Sequence, residues 1–197
     1  MRSPRFRLVL VTLALFTMVA AVVAAGVGGS PPVAPDDRAP DILLISVDTL
    51  RADRLSTYGY ERPTSPNLER IFSDGVWFDH ARTVEPLTSP ALCSMITSRP
   101  PHEHGSSRNG LRLRPGLESL PKELRYRGYR TAAFVGNWTL RNKLSGLAEH
   151  FDEYREVLSR ARWFGLVRAE ATADDLNQST LDWLDDHAAT GDRPVFA

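Results

Sequence analysis

The chain has 197 residues, 42% of them hydrophobic and 24% charged, which is enough to bury the core of one ordinary domain. Its 24 basic residues balance its 24 acidic ones, so no overall field would draw it to nucleic acid, and we expect no nucleic-acid partner. A single cysteine excludes an intramolecular disulfide and cysteine-rich zinc or redox sites. Any bound metal would therefore be held mostly by oxygen.

The N-terminus has the pattern of a targeting segment. A basic start precedes an uncharged apolar run from Leu8 to Val27, which at about 20 residues is just long enough to span a bilayer. Small residues at Val23 and Ala25 would also permit cleavage, so residues 1–28 are either a signal peptide or a single membrane anchor. A Pro/Gly-rich linker follows over residues 29–40. Because the arginines stay inside, we expect the remainder of the chain to be periplasmic or extracellular, either released or anchored to the cytoplasmic membrane.

Residues 41–197 begin with elements of alternating type. Asp41 to Val47, DILLISV, is a short apolar run typical of a strand that is buried on both faces of a parallel sheet and ends at Asp48. Residues 64–75 predict a helix with Ser65 as its N-cap and Gly75 as its stop. A second strand is predicted over Val76 to Asp79.

The second half of the chain continues the pattern. Thr172 and Asp175 resemble a capping box and predict the start of the last helix, which presents Trp183 on its apolar face. The series of strands and helices predicts an α/β fold with a mostly parallel central sheet flanked by helices. Since the chain stops as it enters a strand, we expect this fold to be incomplete at the C-terminus. The other predicted elements are helices at Pro90–Thr97 and Leu120–Arg127 and strands at Tyr129–Val135 and 193–197.

Two residues carry the candidate chemistry. Asp48 follows the first predicted strand, and ligands of open α/β sheets bind beyond the carboxyl ends of strands. Thr88 precedes Ser89 and Pro90 at a predicted helix start, where the helix dipole and free N–H groups favour phosphate or sulfate oxygens. Simple turn or helix capping would also explain either residue. Together, however, they could bind a divalent cation that turns the Thr88 hydroxyl into an alkoxide nucleophile.

The other reactive side chains near Thr88 have simpler interpretations. Cys93 lies five residues further along the same helix, which turns it away from Thr88, and we predict a small buried hydrophobe. His102 and His104 could reach the metal or protonate a leaving group, although hydrogen-bonded turn histidines are more common. An anionic substrate could be steered by four arginines, which are Arg99, Arg108, Arg112 and Arg114. A solvated loop is the simpler interpretation of these residues.

Several stretches resemble the N-terminal part of the sulfatase family, within the alkaline phosphatase-like superfamily. They are DILLISVDTLRADRLSTYGY, EPLTSPALCSMITSRPPHEHG, GYRTAAFVGNWTL and HFDEY, and the resemblance covers about residues 40 to 197. It implies an α/β sandwich in which Asp48, the nucleophile and a second pair of ligands hold the metal. That pair, Asp-His or Asp-Asn, would lie beyond Ala197.

The sequence departs from the sulfatase signature at its reactive positions. When the sulfatase signature CxPSR is aligned with this sequence, its proline falls on Pro90 and its nucleophile on Thr88. Threonine cannot be oxidised to formylglycine, because its Cβ bears a methyl group. Leu92 replaces the signature arginine, and Asn137 and Thr139 replace the lysine and histidine of GKWH. A threonine nucleophile resembles instead the branch that transfers phosphoethanolamine or phosphoglycerol groups onto envelope lipids and polymers.

Two functions from different classes remain open. The first is a sulfatase-like, metal-dependent hydrolase or transferase that acts on sulfate or phosphate esters outside the cytoplasm, with Thr88 as nucleophile and Asp48 and Thr88 as metal ligands. Its cation would be calcium in a formylglycine enzyme and zinc or manganese with a threonine alkoxide. The second is a catalytically silent or truncated sulfatase-like module that acts as a binding scaffold. The substrate and the oligomeric state stay open.

Overall fold

The computed structural model describes residues 39–162, 167–188, 191 and 193–197. The predicted signal peptide or anchor over residues 1–28, and the linker up to residue 38, lie outside the described residues. Among the residues that are described, no helix has the length and apolar character needed to cross a membrane.

Four of the described helices precede the first strand, and the remaining strands and helices follow it. The helices are α1 (Pro66–Phe72), α2 (Thr88–Thr97), α3 (Pro101–His104), α4 (Leu120–Tyr126), α5 (Asn142–Ser145) and α6 (Ala173–Ala188). The strands are β1 (Arg130–Val135), β2 (Glu153–Glu156), β3 (Arg160–Arg162), β4 (Val167–Glu170) and β5 (Val195–Phe196). Short 3₁₀ turns cover Ala52–Arg54, Ser56–Tyr58, Trp138–Leu140 and Leu147–His150.

The central sheet is parallel and has the strand order β2-β1-β5. On one side of β1, Ala132 lies opposite Glu153 in β2, and on the other side Arg130 lies opposite Val195 in β5. Strands β3 and β4 form a separate antiparallel pair. A parallel sheet with helices between its strands confirms the predicted α/β class, and the described part covers only a portion of such a fold.

The apolar run from Asp41 to Val47 forms less of a strand than predicted. Ile42 N–H donates to Val195 O and Leu44 N–H to Ala197 O, both at 2.8 Å, so this segment extends the sheet beyond β5. The pairing reaches only residues 42–44, and Ile45 is 73% exposed. The prediction of a strand buried on both faces is therefore wrong here, because the described residues give the segment one short neighbouring strand and only Ile42 packs against a buried apolar group.

The next two predictions hold only in part. Helix α1 begins at Pro66 as expected but ends at Phe72, before the predicted stop at Gly75. Ser65 precedes it without capping it, because its hydroxyl bonds to the Ser56 and Thr57 hydroxyls at 2.9 and 3.2 Å. The predicted strand over Val76 to Asp79 is wrong, since no described backbone pairs with that exposed segment.

The second half follows the sequence pattern closely. Ser119 caps α4 by accepting the Lys122 N–H, and β1 and β5 lie where the strands were predicted. The capping box of α6 is confirmed: Thr172 N–H donates to Asp175 Oδ2 at 2.9 Å, and Asp175 N–H donates to Thr172 Oγ1 at 3.1 Å. Strands β2, β3 and β4 are not among the predicted elements.

Three groups of buried apolar residues hold these elements together. Trp183 of α6 is 1% exposed and packs on Ala132 and Val195, so the helix covers one face of β1 and β5. The second group lies near the start of β1 and consists of Leu124, Tyr129 and Phe196. The third group joins α2 to the end of β1 and consists of Cys93, Leu113, Val135, Leu140 and Leu147.

Candidate active site

Asp48 lies in a tight turn directly after the extended segment that joins the sheet. The next residue, Thr49, has a φ of 58°, a left-handed conformation that is unusual for a β-branched side chain. The Asp48 side chain is exposed to solvent. The turn thus places a solvent-accessible carboxylate at the carboxyl end of the sheet, where the α/β plan predicts a ligand site.

Thr88 is the first residue of α2, and its side chain is directed at Asp48. The Thr88 hydroxyl lies 3.2 Å from Asp48 Oδ1 and 3.1 Å from Oδ2, so it donates to the carboxylate as a shared hydrogen bond. Leu87, not Thr88, is the N-cap, and the N-cap residue makes no side-chain hydrogen bond to the helix. The structure therefore brings together the two predicted site residues, which are 40 positions apart in the sequence.

Asn137 is the third member of the site. It follows β1 by two residues and donates from Nδ2 to Asp48 Oδ2 over 2.6 Å. Its Oδ1 atom accepts hydrogen bonds from the Thr139 N–H at 2.9 Å and the Thr139 hydroxyl at 2.8 Å. Because those two donors occupy the oxygen, the end of the amide that faces Asp48 is the nitrogen.

The start of α2 has fewer free N–H groups than predicted. Ser89 N–H donates to Asn109 Oδ1 at 2.9 Å, Pro90 has no N–H, and Ala91 N–H donates to Leu87 O at 3.0 Å. At most the Thr88 N–H is left for an anion. The expectation of several free donors at this helix start is therefore wrong, because Asn109 and Pro90 remove two of them.

Cys93 is buried, as predicted. Its side chain is 0% exposed and belongs to the apolar group that joins α2 to β1. Burial raises the pKa of the Cys93 thiol to about 11, which leaves it protonated near neutral pH. It is a core residue with no part in the polar cluster around Asp48.

His104 is a structural residue packed behind α2. It is fully buried, accepts the Ser106 N–H at Nδ1 over 3.1 Å, and lies 2.9 Å from the Ser94 hydroxyl at Nε2. Since Nδ1 accepts, the proton of the neutral ring lies on Nε2, and burial lowers the His104 pKa. His102 is 80% exposed and within reach of Glu103. The structure brings neither histidine into hydrogen-bonding contact with Asp48 or Thr88.

Three of the four loop arginines bind protein groups. Arg112 donates to the Asn142 carbonyl at 2.9 Å, Arg114 to the Glu103 carbonyl at 3.0 Å, and Arg99 pairs with the Glu103 carboxylate at 3.4 Å. The Arg112 and Arg114 guanidinium groups brace the loop that follows α3, and Arg99 pairs with Glu103 of that helix. The steering role considered for these three residues receives no support from their contacts.

The donor set near Asp48 suits part of a metal shell. A carboxylate and a hydroxyl are hard oxygen donors of the kind that divalent cations bind. Over the described ranges, no group of three or more His, Cys, Asp or Glu side chains is close enough to hold a metal ion. Asp48 and Thr88 therefore fit two positions of such a shell and do not complete it.

Two contributors to this site were missed at the sequence level. The sulfatase resemblance marks Asn137 only as a departure from its motif, and it does not mark Asn109. Asn137 follows the carboxyl end of a predicted strand, which is the same signal that singled out Asp48. Asn109 lies in a loop whose pairing with Ser89 spans 20 positions, and no local pattern indicates that contact.

Comparison with known proteins adds family evidence. The family model described as Sulfatase matches residues 40–195. The N-acetylglucosamine-6-O-sulfatase of Bacteroides thetaiotaomicron is 29% identical over 115 residues, which cover 58% of this chain and 20% of that protein. The chain spans between a fifth and about a quarter of the length of the curated relatives it matches.

Solved structures show the same fold. BT4656 in complex with its substrate D-glucosamine-2-N,6-O-disulfate aligns with a TM-score of 0.64 and 22% identity, over 80% of this chain and 33% of that one. The C-terminal periplasmic domain of EcEptC from Escherichia coli, in complex with Zn, aligns with a TM-score of 0.57 and 20% identity, over 85% and 46%. The predicted alkaline phosphatase-like architecture is confirmed at the level of fold.

Proposed function

Because the chain belongs to the sulfatase family, we propose that it provides the N-terminal part of a metal-dependent enzyme that hydrolyses or transfers sulfate or phosphate esters. Thr88 is the proposed nucleophile. The observation that carries the proposal is the contact between the Thr88 hydroxyl and both oxygens of Asp48, at 3.1 and 3.2 Å. Helix capping does not explain this contact, because a threonine at the first position of a helix needs no carboxylate partner from a residue 40 positions away.

The proposed reaction uses the Thr88 oxygen twice. In the first step it forms a bond to phosphorus or sulfur while the bond to the ester's alcohol oxygen breaks, and the proton lost by Thr88 balances the one gained by the departing alcohol. In the second step water, or an acceptor alcohol, takes the group and restores the hydroxyl. Asp48 orients the Thr88 O–H so that a lone pair is directed outward to the substrate.

Asp48 and Thr88 would hold the cation. A divalent cation supplies Lewis-acid stabilisation of the charge that develops on the transferred group and favours the ionised hydroxyl. The zinc complex of the EcEptC domain, which is similar in fold, supports a divalent metal in this family. We propose zinc or manganese over calcium because Thr88 cannot become formylglycine. The remaining ligands would come from residues outside the described part of the chain.

Within this class, phosphate esters are favoured over sulfate esters. Position 88 cannot carry the formylglycine of true sulfatases, and Leu92, Asn137 and Thr139 stand where the sulfatase signature has charged or imidazole side chains. We also propose a location outside the cytoplasm, either periplasmic or extracellular. The apolar run over residues 8–27 supports it, as does the periplasmic origin of the EcEptC domain.

A catalytically silent binding module is the second candidate. It is favoured by the incomplete donor set: within the residues that the structure describes, Asp48 and Thr88 have no His, Cys, Asp or Glu partners that would complete a metal group. In this reading the Asp48 cluster would be a remnant of an enzymatic ancestor.

The test is an ester-hydrolysis assay on the full-length natural protein. Aryl phosphate and aryl sulfate are compared with and without a chelator, in the parent, Thr88→Ala and Thr88→Ser. We expect metal-dependent phosphate turnover that Thr88→Ala lowers by at least about a thousandfold, while Thr88→Ser keeps measurable activity because the hydroxyl remains. Full activity in Thr88→Ala, or sulfate turnover that needs Cys93, would contradict the proposal. A parent that binds no metal and turns over neither ester would favour the silent module.

A further inference from the structure

Asn137 connects Asp48 to the compact part of the molecule. Among the described residues, the hydrogen-bond partners of the Asp48 carboxylate are Thr88 and Asn137. Thr88 is the proposed nucleophile and must be free to react, which leaves Asn137 as the group that can hold the carboxylate throughout. We propose that Asn137 is a positioning residue, which keeps Asp48 aligned with Thr88 and does not itself bind substrate or metal. This inference rests on the function proposed for Asp48 and Thr88.

The orientation of the Asn137 amide supports a donor role. Its oxygen is occupied by two donors from Thr139, at 2.9 and 2.8 Å, and its nitrogen lies 2.6 Å from Asp48 Oδ2. An amide nitrogen has no lone pair available for a cation, so the end that faces the site cannot serve as a metal ligand. The Asn137 nitrogen can instead donate a hydrogen bond to the Asp48 carboxylate. This bond fixes one oxygen of Asp48 and restricts rotation of the carboxyl group.

The loop that carries Asn137 is anchored at both ends. At its start, a Cβ on Gly136 would lie 2.8 Å from Leu176 Cδ1, so this backbone packs closely against α6. At its end, the Thr139 carbonyl accepts a hydrogen bond from the fully buried Ser89 hydroxyl at 3.3 Å. Ser89 is the neighbour of Thr88. One short loop therefore contacts Asp48 through Asn137 and the start of α2 through Thr139.

This arrangement gives Asn137 and Thr139 separable effects. Removing the Asn137 side chain frees Asp48 and also removes the acceptor of the two Thr139 hydrogen bonds. Asn137→Asp keeps an oxygen for the two Thr139 donors but has no N–H for Asp48. Thr139→Val removes the hydroxyl donor, while the backbone N–H of residue 139 still bonds to Asn137. We therefore expect it to disturb the alignment of Asp48 with Thr88 less than removal of the Asn137 side chain does.

The first arm of the test detects the contact without metal or substrate. The full-length protein is labelled with ¹⁵N-asparagine, and the side-chain amide signals of Asn137 are assigned by their absence in Asn137→Ala. We expect Asp48→Ala to shift these signals, because the carboxylate acceptor is removed. Asp53→Ala is the matched control: Asp53 is an exposed carboxylate in the same segment that pairs with Arg51. Unchanged Asn137 signals in Asp48→Ala would overturn the proposal whether or not the protein is active.

The second arm measures Mn²⁺ binding by calorimetry and the kinetics of aryl phosphate hydrolysis. We expect Asn137→Ala to weaken Mn²⁺ binding and to lower kcat, each by about 10-fold or more, with KM nearly unchanged. Asn137→Asp should not restore kcat, because it has no N–H to donate to Asp48 and adds a negative charge beside that carboxylate. A raised KM with unchanged kcat would identify a substrate-binding residue and overturn the proposal, and so would full rescue by Asn137→Asp. If Thr88→Ala retains the parent rate, the proposed function fails, and the amide signals still decide the role of Asn137.

Discussion

Residues 41–87, which we call the open region, and the described residues from 88 onward, which we call the compact region, contribute to the same site but are packed very differently. Between residues 41 and 87, all of which the structure describes, Ser65 is the only buried residue. The later region contains the apolar group that joins α2 to β1, together with buried polar residues such as His104 and His150. Asp48 comes from the open region, whereas Thr88 and Asn137 come from the compact one. The geometry of the site is therefore set by the compact region, to which Asp48 is held by side-chain hydrogen bonds.

The difference in packing predicts a large difference in the cost of removing an aromatic side chain. In the 197-residue chain, Trp183→Ala should lower the free energy of unfolding by about 3–5 kcal/mol, because Trp183 is buried against β1 and β5. Phe78→Ala should change it by less than about 0.5 kcal/mol, because Phe78 is 70% exposed. Denaturant unfolding of both variants measures the contrast. Comparable losses at the two positions would show that the open region is as well covered as the compact one.

Two histidines extend the contrast to pH. His104→Ala should cost about 1–3 kcal/mol, because it leaves the buried Ser94 hydroxyl and Ser106 N–H without a partner. Burial lowers the His104 pKa from its ordinary value of 6.5, so the unfolded chain takes up a proton at higher pH than the folded chain. The stability contribution of neutral His104 is thus complete above about pH 6.5 and is lost as pH falls towards the folded pKa.

This pH dependence is measured by denaturant unfolding between neutral and mildly acidic pH. His150 is also buried with a lowered pKa and contributes with the same sign, so His104→Ala should reduce the slope below neutral pH without removing it. An unaltered slope in His104→Ala would contradict the account of this residue.

Helix caps give the smallest predicted contrast. Thr172→Ala should cost about 1 kcal/mol because it removes the hydroxyl half of the capping box of α6, and Thr172→Ser should recover most of that loss. Helix α1 has no such bond, since the Ser65 hydroxyl is engaged with Ser56 and Thr57 instead. Thermal unfolding of the two Thr172 variants tests the prediction. Equal melting temperatures for Thr172→Ala and the parent would show that the cap adds nothing.

The sequence predicted the compact region better than the open one, for a physical reason. Helices α4 and α6 and strand β1 carry local signals, such as the Ser119 cap and the Thr172 capping box, that survive into the structure. The apolar run from Asp41 to Val47 carries the composition of a buried strand, but burial depends on neighbours that local sequence does not encode. Strand β2, Glu153–Glu156, was missed because its EYRE sequence is mostly charged and its pairing with β1 is distant in the chain.

The same distinction applies to the site. Asp48 was predicted from its place after an apolar run, and Thr88 from its place before Pro90. Their contact depends on a fold that brings together positions 40 residues apart, which the family resemblance implied and local pattern did not. Asn137 carries the same strand-end signal as Asp48, but its bond to Asp48 spans 89 positions. Asn109 bonds to a partner 20 positions away, and no local pattern indicates that contact.

The most direct measurement of the central claim is the identification of the residue that becomes covalently modified during turnover. The full-length protein is quenched with acid while it hydrolyses an aryl phosphate in the presence of Mn²⁺, and its peptides are mapped by mass spectrometry. Our account predicts a phosphoryl group on the peptide that contains Thr88, located on Thr88 itself and lost in Thr88→Ala. A phosphoryl group on any other residue, or turnover that continues in Thr88→Ala with no modified peptide, would contradict it.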